Sequence, residues 1–181
     1  MSASSSRRGP RRLARAALLL TVVSVAALPV AAGHASAATV DAQCLGTFTR
    51  TFSPPVTTTT QNVTATSTDS YSTCVAGFTG TGVTVTTLPL SCVNVTTGPA
   101  EIETIAWNDP AGDTSTIAWG QPVVAGQTVV FTGTVTAGLY RGATTAKVTS
   151  GISYIGAVLP CLLGTPISQT TGLIDSLTIS G

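Results

Sequence analysis

From Cys44 onward the chain alternates apolar and hydroxyl-bearing side chains in short bursts and shows no long segment with helical spacing. In one such burst Val129, Phe131, Gly133 and Val135 interleave with Val130, Thr132, Thr134 and Thr136. That is the period of two that gives a strand one apolar and one wet face. Read with the Gly, Pro, Asn and Asp residues that bound each burst, the pattern predicts strands over 44–52, 61–69, 78–87, 91–96, 101–107, 114–119, 127–137, 144–155 and 171–180. Tight turns between short strands imply sequential antiparallel hairpins. The expected fold class is therefore all-β: a single antiparallel β-sandwich or flattened barrel of about nine strands. The choice between the two depends on whether the last strand closes on the first.

Composition strengthens the strand reading. Thirty-three threonines lie between Thr39 and Gly181, while leucine, lysine and glutamate are scarce. β-Branched side chains lose rotamer freedom in a helix but fit the pleat of a sheet. Residues 1–38 have a different character: five arginines between Arg7 and Arg15, an apolar run from Ala16 to Val30, and then Ala35-Ser36-Ala37. This is the order of an export signal with its cleavage site, and the apolar run is short for a membrane span of roughly 20 residues. The expectation is a cleaved signal peptide over 1–38 and a secreted, extracellular β-domain over 39–181, with no membrane attachment after processing.

Loss of the signal leaves Arg50, Arg141 and Lys147 against seven acidic residues, a net charge of −4. Three scattered cations do not build the phosphate-neutralising stripe that nucleic-acid binding needs. The single histidine, His34, falls in the signal, so the processed chain lacks the commonest general base and metal ligand. Cys44, Cys74, Cys92 and Cys161 are even in number in an exported chain, which favours two disulfides. A hairpin turning near Pro54-Pro55 would set Cys44 opposite Cys74 and leave Cys92 to Cys161. The gaps between the cysteines lack the short pairs of a structural zinc site. No catalytic residue, cofactor or metal is expected, and the domain is read as non-enzymatic, acting by binding or as a structural component.

The segment Glu101–Gly120 says Ile-Ala-Trp twice, around Asp109-Pro110-Ala111-Gly112. Asp, Pro and Gly stand where a type I turn wants them. If Gly112 closes a three-residue loop, Asp109 faces Asp113, Trp107 pairs with Ser115, Ile105 with Ile117 and Glu103 with Trp119. Ile105, Trp107, Ile117 and Trp119 then share one apolar face, and Glu103 falls awkwardly on that same face. Asp109 and Asp113 are oxygen ligands of the kind calcium takes, but Asp at a turn corner ordinarily serves the backbone.

Aromatic side chains are the feature that could carry binding. Trp107 and Trp119 are read first as core, with a sugar-stacking platform formed with Tyr71, Tyr140 and Tyr154 as the alternative. Tyr140, between Gly138 and Gly142, is the aromatic expected to be exposed. Candidate partners are accordingly cell-wall polysaccharide, as for a carbohydrate-binding module, or a small hydrophobic molecule carried in a barrel.

Taken together, the Arg/Ala-rich signal, Cys44-Leu-Gly-Thr-Phe-Thr with Ser53-Pro54-Pro55, Trp107-Asn-Asp-Pro-Ala-Gly-Asp-Thr-Ser-Thr and Gly133-Thr-Val-Thr-Ala-Gly-Leu-Tyr-Arg-Gly resemble small secreted actinobacterial proteins. That resemblance implies a secreted β-domain and brings no functional residue with it. The chain is also similar to the neocarzinostatin type of chromophore-binding apoprotein in being exported, acidic, histidine-poor and two-disulfide. It departs from that type in its greater length and wide cysteine gaps, so the similarity supplies only an analogy for small-molecule binding.

Overall fold

A computed structural model describes residues 39–75, 77–94, 99–151 and 153–181, except for the side chains of Tyr154 and Ile155. The export signal read over 1–38 lies outside the described residues. The elements in chain order are β1 (Val40–Val56), β2 (Gln61–Cys74), β3 (Gly80–Leu90), β4 (Ile102–Trp107), β5 (Thr114–Trp119), β6 (Val123–Ala125), β7 (Thr128–Gly138), β8 (Thr144–Ser150), α1 (Tyr154–Leu162) and β9 (Ile167–Ser180). All strand pairs are antiparallel, and β9 returns to β1 with Phe48 opposite Gly172 and Arg50 opposite Thr170. On the far side β5 pairs with β7, Ile117 opposite Val135. Eight strands thus close into a barrel, and β6 lies along β7 as an extra short strand. Of the two expected all-β architectures, the closed barrel is the one formed.

Period-two alternation decides what the barrel holds. On β1 the inward residues run Cys44, Gly46, Phe48, Arg50, Phe52; on β2 Tyr71, Asp69, Ser67 and Ala65 stand opposite Gly46, Phe48, Arg50 and Phe52 in register. Toward one end Ala42, Cys44, Tyr71, Trp107, Ala143 and Ile179 form an apolar cluster. Phe52, Val56, Val63, Leu90, Cys92, Cys161 and Ile167 form a second. Between the two clusters on β1 and β2 stand Arg50 and Asp69, the start of a polar belt across the interior. The threonines that alternate with these residues face outward, where their hydroxyls reach water or each other, as Thr64 and Thr87 do across β2 and β3 at 3.0 Å.

Both expected disulfides are formed, Cys44–Cys74 and Cys92–Cys161. Cys44 and Cys74 are direct partners in the β1–β2 ladder, 4.0 Å apart at Cα. Cys92–Cys161 joins the turn after β3 to α1. Two disulfides fit folding in an oxidising, extracellular compartment.

Several elements differ from the expectations. Residues 91–94 form a turn closed by the Asn94 carboxamide on the Ser91 amide, in place of a strand over 91–96; residues 95–98 lie outside the described residues. The strand expected to run to 155 stops at Ser150, and α1 follows. Its sequence contains Pro160, which ordinarily argues against a helix interior. Here tertiary contacts override propensity: Val158 packs against the buried Val129 of β7, Ala157 packs on the second cluster, and Cys161 is covalently held.

The β4–β5 hairpin is also shifted from its expected register. Ile105 pairs with Ser115 and Glu103 with Ile117, and Trp107 donates its amide to the Asp113 carbonyl, so five residues rather than three form the loop. A shift of two preserves the faces, and the four Ile and Trp side chains still point inward together. Within the loop Gly112, at φ 67°, donates to the Asp109 carbonyl, and the Asp109 carboxylate accepts from the Asp113 amide. Asp109 therefore serves the backbone and does not face Asp113 across the ladder.

Candidate functional site

Trp107 and Trp119 are each 3% exposed, so both indoles lie inside the barrel as the core reading expects, and the alternative, an outer sugar-stacking platform with Trp107 and Trp119 as ligand contacts, is not formed by them. Their N–H groups dictate the surroundings, since a buried indole needs an acceptor. Trp107 donates to Ser115 Oγ at 2.8 Å, and Ser115 in turn donates to the Leu139 carbonyl at 2.7 Å. Trp119 donates to Glu103 Oε2 at 2.7 Å. Tyr140 is half-buried rather than free: it sits at φ 64° and packs edge-on against Trp107, the ring centroids 6.3 Å apart. A tyrosine in the left-handed region is strained, and that ring contact offsets the strain. The Tyr154 side chain lies outside the described residues.

Around Glu103 the barrel holds its charged groups. Glu103 is fully buried, yet its carboxylate lacks no partner. Tyr71 donates to Oε1 at 2.7 Å, while Lys147 Nζ on β8 donates to Oε2 at 2.8 Å and to Asp69 Oδ2 at 2.6 Å. Ser67 completes the shell by donating to Asp69 Oδ1 at 2.9 Å. The ammonium also lies 4.9 Å from the Trp119 ring centroid and 5.2 Å from that of Phe131. Four strands contribute: β2 supplies Asp69 and Tyr71, β4 Glu103, β5 Trp119 and β8 Lys147. Nearer the second apolar cluster, Arg50 on β1 pairs with Glu101, which stands just before β4. Two cations and three carboxylates thus share one interior, where unpaired ions would be prohibitively costly.

Gly82 makes the arrangement feasible. It lies in register between Asp69 on β2 and Ile105 on β4, and a Cβ there would overlap Glu103 Oε1. Gly82→Ala is expected to push the carboxylate off its donors and cost about 1–3 kcal/mol, read as a lower denaturant midpoint with an unchanged slope. An unaltered midpoint would show that Glu103 is not seated over this glycine.

Burial first, and then the Glu103 and Asp69 carboxylates, push the Tyr71 phenol well above its ordinary range. For Lys147 burial by itself acts downward, but Asp69 and then Glu103 outweigh it and hold the ammonium above its ordinary value. Both folded-state values exceed the unfolded ones of about 10 and 10.4. Their stabilising contribution is therefore complete below about pH 10 and is lost as pH rises through the folded values, because the unfolded chain sheds its protons first. Alkaline titration should show Tyr71 tyrosinate absorbance appearing only in step with loss of the β circular-dichroism signal. Ionisation of every tyrosine in a still-folded protein would contradict the geometry.

The inward position of Glu103 is legible in the sequence, whereas its partners Asp69, Tyr71 and Lys147 are not. Lys147 carries the only available signal, a charged residue between the inward threonines 145 and 149 on a β-branched strand. Among the described residues no group of three or more His, Cys, Asp and Glu side chains is placed to hold a metal ion, and the third member of this cluster is an ammonium. The protein is defined at this level as a closed antiparallel barrel with an ionic cluster enclosed in it. Comparison with protein-family models, with curated proteins and with solved structures finds no match to this chain.

Proposed function

We propose that residues 39–181 form an exported, non-enzymatic barrel that works through its outer surface, as a binding or structural component at the cell exterior. The observation that carries this reading is the mutual satisfaction of Asp69, Glu103 and Lys147 at 6% exposure or less, which leaves no group of the cluster turned toward an outside substrate. Val83, Val85 and Ile102 are exposed neighbours on the outer face of β3 and β4, flanked by outward threonines such as Thr81, Thr87 and Thr104. An apolar spot rimmed by hydroxyls suits the alternating faces of a polysaccharide, whose rings present C–H surfaces between hydroxyl edges. Retention of the processed domain on insoluble cell-wall polysaccharide is expected, with loss of retention in a Val85→Asp/Ile102→Asp variant. Failure of the parent domain to bind, or equal binding by the variant, overturns this surface assignment.

A second reading, carriage of a small hydrophobic molecule, is favoured by one observation. Phe48, Arg50, Ser67 and Phe131 face inward but are only partly buried. Saturable uptake of an environment-sensitive apolar dye by the native barrel would support it, and absence of saturable uptake would remove it.

A further inference from the structure

The contact of Lys147 with two carboxylates, buried beside the Trp119 and Phe131 rings, is a reactive arrangement as well as a stabilising one. We propose that Lys147 and Asp69 become joined by an intramolecular amide bond that the chain forms on itself, with Glu103 relaying the protons. Nζ already lies 2.6 Å from Asp69 Oδ2, so a small tilt brings it over Cγ. Holding the two groups together in a folded core gives effective molarities on the order of 10⁵–10⁸ M. Asp69 and Glu103 favour the charged lysine, so moving one proton from the ammonium to a carboxylate within the cluster is uphill, and it is the enforced proximity of the two groups that offsets this cost. That transfer exposes the nitrogen lone pair.

The balance is complete without any further reactant. The Nζ–Cγ bond forms and the Cγ–Oδ2 bond breaks; of the three ammonium hydrogens one stays on the amide nitrogen and two leave with Oδ2 as water. Glu103 Oε2, 2.8 Å from Nζ, accepts the proton that must leave the attacking nitrogen. The Tyr71 hydroxyl, 2.7 Å from Glu103 Oε1 and 3.5 Å from Asp69 Oδ2, lines the return path to the departing oxygen. Asp69 is the acylating partner because its Oδ2 makes the shorter contact with Nζ. Glu103 is held by Tyr71 on one oxygen and by Trp119 on the other, over the space left by Gly82. The product ties β2 to β8 across the barrel and replaces a buried ion pair by a neutral amide.

The test is the intact mass of the processed chain after its disulfides are reduced and alkylated under denaturing conditions. The expected mass is one water below that calculated from the sequence. Trypsin should then fail to cut after Lys147, giving one branched species built from residues 51–141 and 142–181, and its fragmentation should place the branch on Asp69. A parent mass equal to the calculated value overturns the proposal, and so does a branch on Glu103. Lys147→Arg should restore the full mass; a water deficit that persists there arises elsewhere and also overturns it. Glu103→Gln is expected to leave the chain unbridged, and a bridge formed in that variant removes the relay role. The parent mass decides the central claim whether or not either variant folds.

Discussion

Lys147→Met is expected to destabilise the barrel by about 3–5 kcal/mol, the range typical of breaking a buried ion pair by removing one partner. Methionine keeps most of the volume of the lysine stem, so the loss comes from charge rather than from a cavity. Without the ammonium, Asp69 and Glu103 face each other in the interior with only Tyr71, Trp119 and Ser67 as donors. A domain of this size has a total stability of about 5–15 kcal/mol, so the variant should sit close to unfolding at ambient temperature. Urea denaturation followed by circular dichroism measures the effect. The triple variant Lys147→Met/Asp69→Asn/Glu103→Gln should recover most of it, because neutral amides need no counter-ion. A single Lys147→Met change costing under about 1 kcal/mol would be in the range of a solvated surface pair and would contradict an enclosed cluster. In a bridged parent the amide stands in place of the Lys147–Asp69 ion pair, so the deficit then reads the loss of the cross-link, and the parent mass shows which of the two is being measured.

The cluster also shows where a linear reading of this chain stops. Alternation identified the strand class and most of the strands because it is a local property of each segment, set by the two-residue repeat of side-chain direction. The Cys44–Cys74 pairing was legible for the same reason, as it follows from one hairpin. Closure of β9 on β1 was not, since it joins residues more than a hundred positions apart through backbone groups that every sequence possesses. Glu103 could be seen to face the core, but Lys147 and Asp69 reach it from β8 and β2, and nothing in any one segment records that meeting. The I-A-W repeat was correctly read as hairpin symmetry while its register was two residues out, because a shift of two leaves every side chain on the same face and so carries no penalty in the pattern. Helix α1 was missed for a different reason. Pro160 and the short length argue against it locally, and the contacts that hold it come from Cys92 and Val129, distant in the chain.

The same distinction separates the two disulfides. By the loop-closure relation, removing either Cys44–Cys74 or Cys92–Cys161 should cost about 4 kcal/mol, with the bridge of sequence separation 69 worth roughly 0.7 kcal/mol more than that of separation 30. The energies are close, but the structural consequences are not. Cys44 and Cys74 are already ladder partners, so a Cys44→Ala/Cys74→Ala variant keeps its strand pairing and loses stability globally. Cys92–Cys161 is the covalent hold on α1, whose exposed Leu159 and Leu162 contribute little packing of their own. In Cys92→Ala/Cys161→Ala the helix should open as a local unit at a free energy below that of the whole barrel. Chymotrypsin should then cut within 154–163 under native conditions that leave the parent and the Cys44→Ala/Cys74→Ala variant intact. Equal resistance of all three would mean that α1 is held by its side-chain packing and that the second bridge only closes a loop.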